Sequence, residues 1–243
     1  FNMGGSYQKE TTVFPGDSRY KKISGYSTLS HRTSDDKFKA TVSINYILED
    51  NNLPRADLTP KAYKLPPNAP ALYTDEGEIN WENNSWDNPM ASLLEEYNAQ
   101  IATIMTNANI SYNFGSGVSF KTNLGYTDYK LESDRILPNT SRNPSFGFTP
   151  EQNSSINTNQ SKRTSWIVEP QLSWDSSFGK AALNILVGST FQEQNTSQLI
   201  LRARGFPNNS LIYNLAAANS LETLRDVDSE YNYNALFSRI NVN

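Results

Sequence analysis

Trp81 and Trp86 are the residues of this sequence best suited to chemistry, and that chemistry is stacking. They lie five residues apart in a proline-rich stretch, where an indole face could meet the C–H face of a sugar ring. They could equally pack the stretch against itself or against another protein, and packing is the simpler reading. Arg142 and Arg204 lie in other polar stretches, where a guanidinium could meet an acidic ligand or stay solvated. Trp81, Trp86 and Arg142 are the candidate ligand-binding residues. His31, the one histidine of the chain, sits where a strand gives way to a polar turn and reads as a solvated rim residue. Asp35-Asp36, Asp75-Glu76 and Glu95-Glu96 are adjacent carboxylates. Neighbours in a strand point to opposite faces and neighbours in a loop lie in solvent, so adjacency makes neither an acid/base pair nor a calcium site. Gly115-Ser116-Gly117 is a turn rather than a phosphate cradle, since no helix follows it. The Asn-x-Ser/Thr triplets, as at Asn139 and Asn153, read as chance in an Asn- and Ser-rich chain. With no cysteine, disulfides and thiolate metal sites are excluded. No catalytic residue, metal ligand or cofactor site is expected, and the chain does not read as an enzyme.

The elements that must hold such residues are strands. In Ile104 to Phe114, Ile104, Thr106, Ala108, Ile110, Tyr112 and Phe114 alternate with Met105, Asn107, Asn109, Ser111 and Asn113. A period of two gives a strand with one apolar and one polar face. Gly115-Ser116-Gly117 supplies the positive φ of a tight hairpin loop. Val118, Phe120, Leu124 and Tyr126 then take one face, and Ser119, Lys121 and Asn123 the other. The pattern recurs from Phe1 to about Val13, over Tyr20–Arg32 with weak alternation, and over Lys37–Glu49, where Lys39, Thr41, Ser43 and Asn45 oppose Phe38 to Leu48. It recurs again around Trp166–Trp174, where Glu169 and Gln171 oppose Val168 and Leu172, around Leu183–Gln192, and in Tyr231–Ser238. Pro170 counts against the sixth of these, tolerable at a bulge or edge, and Leu186 breaks the alternation of the seventh.

About eight strands result. Short turns are expected at Thr33–Asp36, Gly115–Gly117 and Asp175–Gly179. The other ends carry the Phe14-Pro15-Gly16-Asp17 turn and three long loops over 50–99, 132–162 and 194–230. Asn88 is placed to cap a short helix beginning at Pro89 and running towards Glu96, and a second short helix is expected near Leu211–Ala218. Short turns at one end and long loops at the other are the layout of outer-membrane barrels, whereas compact domains rarely carry loops of such length. Composition agrees. Hydrophobic residues are 37% of 243 but aromatics are 12%, including 13 Tyr, which suits a thin wall greasy on one side and wet on the other. The net charge of −4, with no basic patch, gives nucleic acid no footprint. Trp166 and Trp174, eight residues apart on one face, span about 26 Å of strand, or roughly 20 Å after a ~40° tilt. That suits the two aromatic girdles of a lipid band. Tyr112 and Phe114 would mark the short-turn rim, and Tyr46, Tyr126 and Tyr129 the long-loop rim.

The run NAPALYTDEGEINWENNSWDNPMASLLEEYNAQIATIMTNANISYNF, followed by FKTNLGYTDY, WIVEPQLSW and SLIYNLAAA, resembles the barrel of SusC/RagA-type TonB-dependent outer-membrane transporters. The opening GGSYQKETTVFPGD and the closing YNALFSRINVN resemble it as well. The resemblance implies an all-β, antiparallel, up-and-down transmembrane barrel segment, about eight strands of a 22-stranded barrel, with short periplasmic turns and long extracellular loops. It implies a nutrient importer for oligosaccharides or peptides in the outer membrane of a Gram-negative bacterium. The implied partners are a SusD-like surface lipoprotein as a lid, the lipid bilayer, and the TonB complex acting through a region outside this chain. The plug and remaining strands are likewise expected outside residues 1–243, and the natural N-terminus upstream of Phe1.

On that reading Lys39, Lys121, Asn123, Glu169 and Gln171 face a wet lumen and the apolar row of each strand meets lipid. A soluble β-sandwich that binds glycans with its long loops is the alternative. There the apolar faces of two sheets would pack together. A secreted β-rich hydrolase ranks last, for want of a carboxylate pair or triad.

Overall fold

Alternation of side chains along the backbone builds one sheet of eight strands, ordered as in the sequence and antiparallel throughout. The computed structural model describes residues 1–179 and 181–242; Lys180 and Asn243 lie outside the described residues. The strands are β1 (Asn2–Thr11), β2 (Arg19–Arg32), β3 (Phe38–Asn52), β4 (Glu96–Gly115), β5 (Val118–Leu137), β6 (Ser155–Phe178), β7 (Ala181–Arg204) and β8 (Ser220–Val242). Tight turns join β2 to β3, β4 to β5 and β6 to β7 at one end. Longer segments, 53–95, 138–154 and 205–219, form a cap at the other.

Register fixes two faces. Val42, Ala108, Leu124, Val168 and Phe191 lie directly opposite one another across five strands. On the reverse face the same pairing aligns Lys39, Ser111, Lys121 and Gln171, and beside them Thr41, Asn109, Asn123 and Glu169. The apolar face is the bare one. Trp166 is 40% exposed, Leu172 50% and Val187 52%, while Glu169 and Gln171 on the other face are half-buried. No second layer covers the apolar rows among the described residues, which overturns the β-sandwich alternative.

The apolar band crosses the sheet obliquely. Its uppermost members are Leu48 on β3, Tyr126 on β5, Trp166 on β6, Phe191 on β7 and Leu236 on β8. Following the register from Leu48 leads through Ala102, Lys130, Lys162 and Ser197 to Asp228, and Leu236 lies eight residues beyond Asp228 along β8. Eight residues are about 26 Å of strand and five strand spacings about 24 Å. A level band therefore requires strands tilted by about 45°, close to the tilt of membrane barrels.

Several expectations need correcting. The loops expected over 132–162 and 194–230 are strand at both ends, so only 138–154 and 205–219 lack it. There the strands rise past the band, polar residues predominate, the apolar ones no longer alternate, and backbone pairing continues. Loop 50–99 shrinks to 53–95 for the same reason. The turn placed at Asp175–Gly179 is later, because Asp175 pairs with Asn184 and Phe178 with Ala181. Pro170 sits neither at an edge nor at a bulge. It lies opposite Thr122, and pairing to β7 lapses at Glu169 and Pro170 with no change of register. Tyr129 is on the polar face, under the Arg163 guanidinium at 5.6 Å, not beside Tyr126 at the rim. Tyr231, Tyr233 and Phe237 also face the polar side, opposite Gln194, Gln192 and Gly188. On β8 the bare face is carried by Leu236, Ile240 and Val242; tyrosine suits a wet wall as well as a lipid rim, so its alternation alone did not fix the face.

Candidate ligand site in the loop cap

The cap is held by a small core of its own. Ile136, Ile156 and Ala203 lie directly opposite one another at the tops of β5, β6 and β7, and Phe206 and Ile212 from segment 205–219 close over them. Phe206 and Ala203 are fully buried. Asparagine side chains then fasten segment to segment. Ser154 Oγ donates to Asn209 Oδ1 (2.6 Å) and Asn209 Nδ2 to Asn139 Oδ1 (2.8 Å). Buried Asn143 donates to the Trp86 carbonyl at 3.1 Å. Asn88, also buried, accepts from Met90 N–H (2.9 Å) and donates to the Leu72 and Asn80 carbonyls (2.7 and 2.8 Å). The helix expected after it is a short 3-10 turn, Pro89–Leu94, and that expected near Leu211–Ala218 is two such turns, Asn209–Leu211 and Leu215–Ala217. A buried amide has four hydrogen-bonding positions, and one that fills them with backbone groups of another segment fixes that segment in place.

Between these segments lies a cavity of about 960 Å³ whose lining includes Tyr73, Trp81, Met90, Arg142 and Phe148. Pro15 and Gly16 of the β1–β2 turn close one side of it. The fold thus brings Trp81 and Arg142 together across 61 residues of chain. Trp86 is not part of that lining. Its indole N–H donates to the Asn80 carbonyl at 3.0 Å, so it packs the loop. Tyr73 and Phe148 were missed by sequence reasoning. Tyr73 pairs with Ile79 in a miniature hairpin whose tip is Asp75-Glu76-Gly77, and a hairpin this short carries no alternation to detect.

In two of the three adjacent carboxylate pairs each member is occupied separately, and Asp75-Glu76 is exposed at the tip of that hairpin. Asp36 is ion-paired with Arg32. Asp35 accepts from Thr33 Oγ1 at 2.6 Å, the main reason its pKa lies below the ordinary carboxylate value. Glu95 is ion-paired with Arg55, and Glu96 accepts from the Tyr213 hydroxyl at 2.6 Å. His31 is exposed on the bare face, its ring centroid 6.1 Å from that of Phe38. Among the described residues no group of three His, Cys, Asp or Glu is arranged to hold a metal ion. Lys39, Lys121, Asn123, Glu169 and Gln171 share the polar face, far from the cap in register. Thr190 Oγ1 donates to Glu169 Oε1 at 3.4 Å across that face.

No protein-family model matches the chain. In sequence it is similar to TonB-dependent receptor P3 of Formosa agariphila, at 26% identity over 163 residues, covering 65% of this chain and 15% of that receptor. In structure it is similar to the RagAB peptide importer in its open-open state, with a TM-score of 0.69 at 15% identity over 99% of this chain and 27% of that one. The siderophore receptor PiuA of Acinetobacter baumannii aligns with a TM-score of 0.54 at 13% identity, over 99% of this chain and 35% of that one. The chain spans only a part of each. A meander with an uncovered apolar face, arranged as in these barrels and similar in sequence to a TonB-dependent receptor, has the fold of eight strands from the barrel wall of a TonB-dependent transporter.

Proposed function

We propose that this segment forms part of the wall and mouth of an outer-membrane nutrient importer. The importer takes up oligosaccharides or peptides, is energised by the TonB complex, and works with a SusD-like surface lipoprotein as its lid. The segment itself carries out no covalent chemistry. The observation that carries the reading is the inversion of the sheet: aliphatic and aromatic side chains on the bare face, amides, hydroxyls and a few charges on the other. In water such a face would be costly, whereas in a bilayer it is the favourable one. The bare face then meets lipid, and Lys39, Lys121, Asn123, Glu169 and Gln171 line a wet lumen. The cap is the outward end, where Trp81, Tyr73 and Phe148 first meet the substrate and Arg142 orients it. The name of the RagAB importer supports peptides as one substrate class for proteins of this architecture.

The test is uptake by the complete transporter in cells. Import of its growth substrate should stop when TonB is removed and fall when the neighbouring lipoprotein is removed. Trp81→Ala should raise the half-saturating substrate concentration about three- to tenfold, the scale of one stacking contact, with transporter levels in the membrane unchanged. Uptake that persists without TonB sinks the importer reading, and unchanged uptake by Trp81→Ala sinks the role given to the cavity.

A further inference from the structure

Arg142 belongs to two cavities. Beside the aromatic one lies a smaller cavity of about 210 Å³, whose lining includes Arg142, Arg204, Gln152 and Ser155. Arg204 stands at the end of β7, directly opposite Ser155, and carries the parity of the polar face. No carboxylate lines this smaller cavity. Among the described residues neither Arg142 nor Arg204 enters an ion pair. The other polar groups of the site are partly committed. Ser141 Oγ donates to the Pro138 carbonyl (2.8 Å), Ser154 Oγ to Asn209, and Gln152 Oε1 accepts from Thr149 N–H (3.1 Å). The groups left over are two guanidiniums, the Gln152 amide N–H groups, the Asn153 amide and the Ser155 hydroxyl, so donors outnumber acceptors and the only charges are positive. Both arginines are exposed, so solvent screens their mutual repulsion, and an anion lodged in the concavity would be attracted by both. The guanidinium fork matches the paired oxygens of a carboxylate or of a sulfate or phosphate monoester.

We infer that the smaller cavity is an anion subsite, and that the transported molecule carries a carboxylate or an anionic ester bound there by Arg142 and Arg204 while its apolar face lies in the adjoining aromatic cavity. The inference rests on the reading of the cap as the substrate-binding mouth. It adds a charge requirement to it. Because Arg142 lines both cavities, the anion and the stacked face must lie close together on the ligand. That geometry suits a uronic acid, a sulfated sugar or an acidic peptide, and does not suit a neutral glycan.

The experiment measures binding to the complete transporter, purified in detergent, by calorimetry with four probes. These are tetragalacturonate, a sulfated galactan tetrasaccharide, tetraglutamate and neutral cellotetraose. The expected result is that at least one anionic probe binds at least tenfold more tightly than cellotetraose, more weakly as salt rises. Arg142→Gln combined with Arg204→Gln should remove that advantage, and the paired Lys variants should restore part of it. Arg202→Gln, on the same strand but held by Asn157, should change nothing. Which anionic probe wins identifies the source of the charge. Equal binding of all four probes, or an anionic preference that survives the double Gln variant, overturns the subsite. If in that case Trp81→Ala still weakens all binding, the mouth itself stands and only the charge requirement falls. If Trp81→Ala is also without effect, both readings fail.

Discussion

At the scale of single residues, side-chain parity decides what a position tolerates. Ile110 and Asn109 are neighbours on β4, yet Ile110 belongs to the bare face and Asn109 to the polar one. Arginine at a lipid-facing position costs about 2–4 kcal/mol at mid-depth and less towards the rim. Ile110→Arg should therefore cut the amount of transporter assembled in the outer membrane several-fold, while Asn109→Arg should leave it unchanged; immunoblots of outer-membrane fractions read the difference. Backbone positions are as strict. Gly115, Ser116 and Gly117 all have positive φ, of 85°, 53° and 81°. A Cβ on Gly117 would lie 1.8 Å from the Asp175 carbonyl oxygen, whereas one on Gly115 would meet nothing within 4 Å. Gly115→Ala should lower stability by the left-handed penalty alone, about 1–2 kcal/mol. Gly117→Ala should cost clearly more, since it must also break the Asp175 N–H bond to the Gly117 carbonyl, 2.9 Å long. Urea midpoints of the two variants in detergent decide this. Equal midpoints would mean that the contact between this hairpin and β6 is not formed.

At the scale of elements, what could be read in the sequence was whatever the bilayer imposes. Phe38 to Leu48, Ile104 to Phe114 and Val118 to Tyr126 announced strands because lipid on one side and water on the other enforce a period of two. Ser155–Lys162 and Gln194–Arg204 announced nothing, although they are paired strand, since above the apolar band no greasy surface runs along one face: most of these side chains are polar, and Ile156 and Ala203 are buried instead under the cap. The cap was equally silent. Its core of Ile136, Ile156, Phe206 and Ile212 joins residues from separate segments, and its fasteners are asparagines, which in sequence look like loop filler. Trp81 and Trp86 are alike in sequence, and only the bond from the Trp86 indole to the Asn80 carbonyl tells the packing residue from the cavity residue. Tyr213 shows the same dependence on distant partners. Its hydroxyl donates to Glu96 and accepts from Asn98 at 3.3 Å, fastening segment 205–219 to the top of β4. Burial first, and then Glu96, push the phenol above its ordinary value. A raised pKa means the folded cap holds this proton more tightly than the unfolded chain. The stabilisation is therefore whole below the unfolded value near pH 10, and is lost as pH rises through the higher folded value. Limited proteolysis should find segment 205–219 equally protected from pH 6 to 9 in the native protein, and cut faster in Tyr213→Phe over that whole range.

At the scale of the whole molecule, the open sheet has two unpaired edges, at β1 and β8, and backbone groups left without partners do not survive in hydrocarbon. The segment is thus a stretch of wall that needs further strands on both sides, and its orientation in that wall is set by the slope of the apolar band. The slope makes a sharp prediction, because strand pairing and bilayer depth disagree about which residues are equivalent. By pairing, Leu48 matches Ser197 and Asp228; by depth, it matches Trp166, Phe191 and Leu236. Since this segment contains no cysteine, single cysteines placed there can carry nitroxide labels in the complete transporter, after removal of any cysteine elsewhere. In liposomes, labels at Leu48, Phe191 and Leu236 should collide readily with oxygen and poorly with a water-soluble nickel chelate, with similar depth parameters. Labels at Ser197 and Asp228 should show the reverse, lying roughly 14 Å and roughly 19 Å higher respectively. If instead Leu48 and Asp228 report one depth, the strands stand upright in the membrane. The face carrying Trp166, Leu172 and Val187 would then need some cover other than lipid.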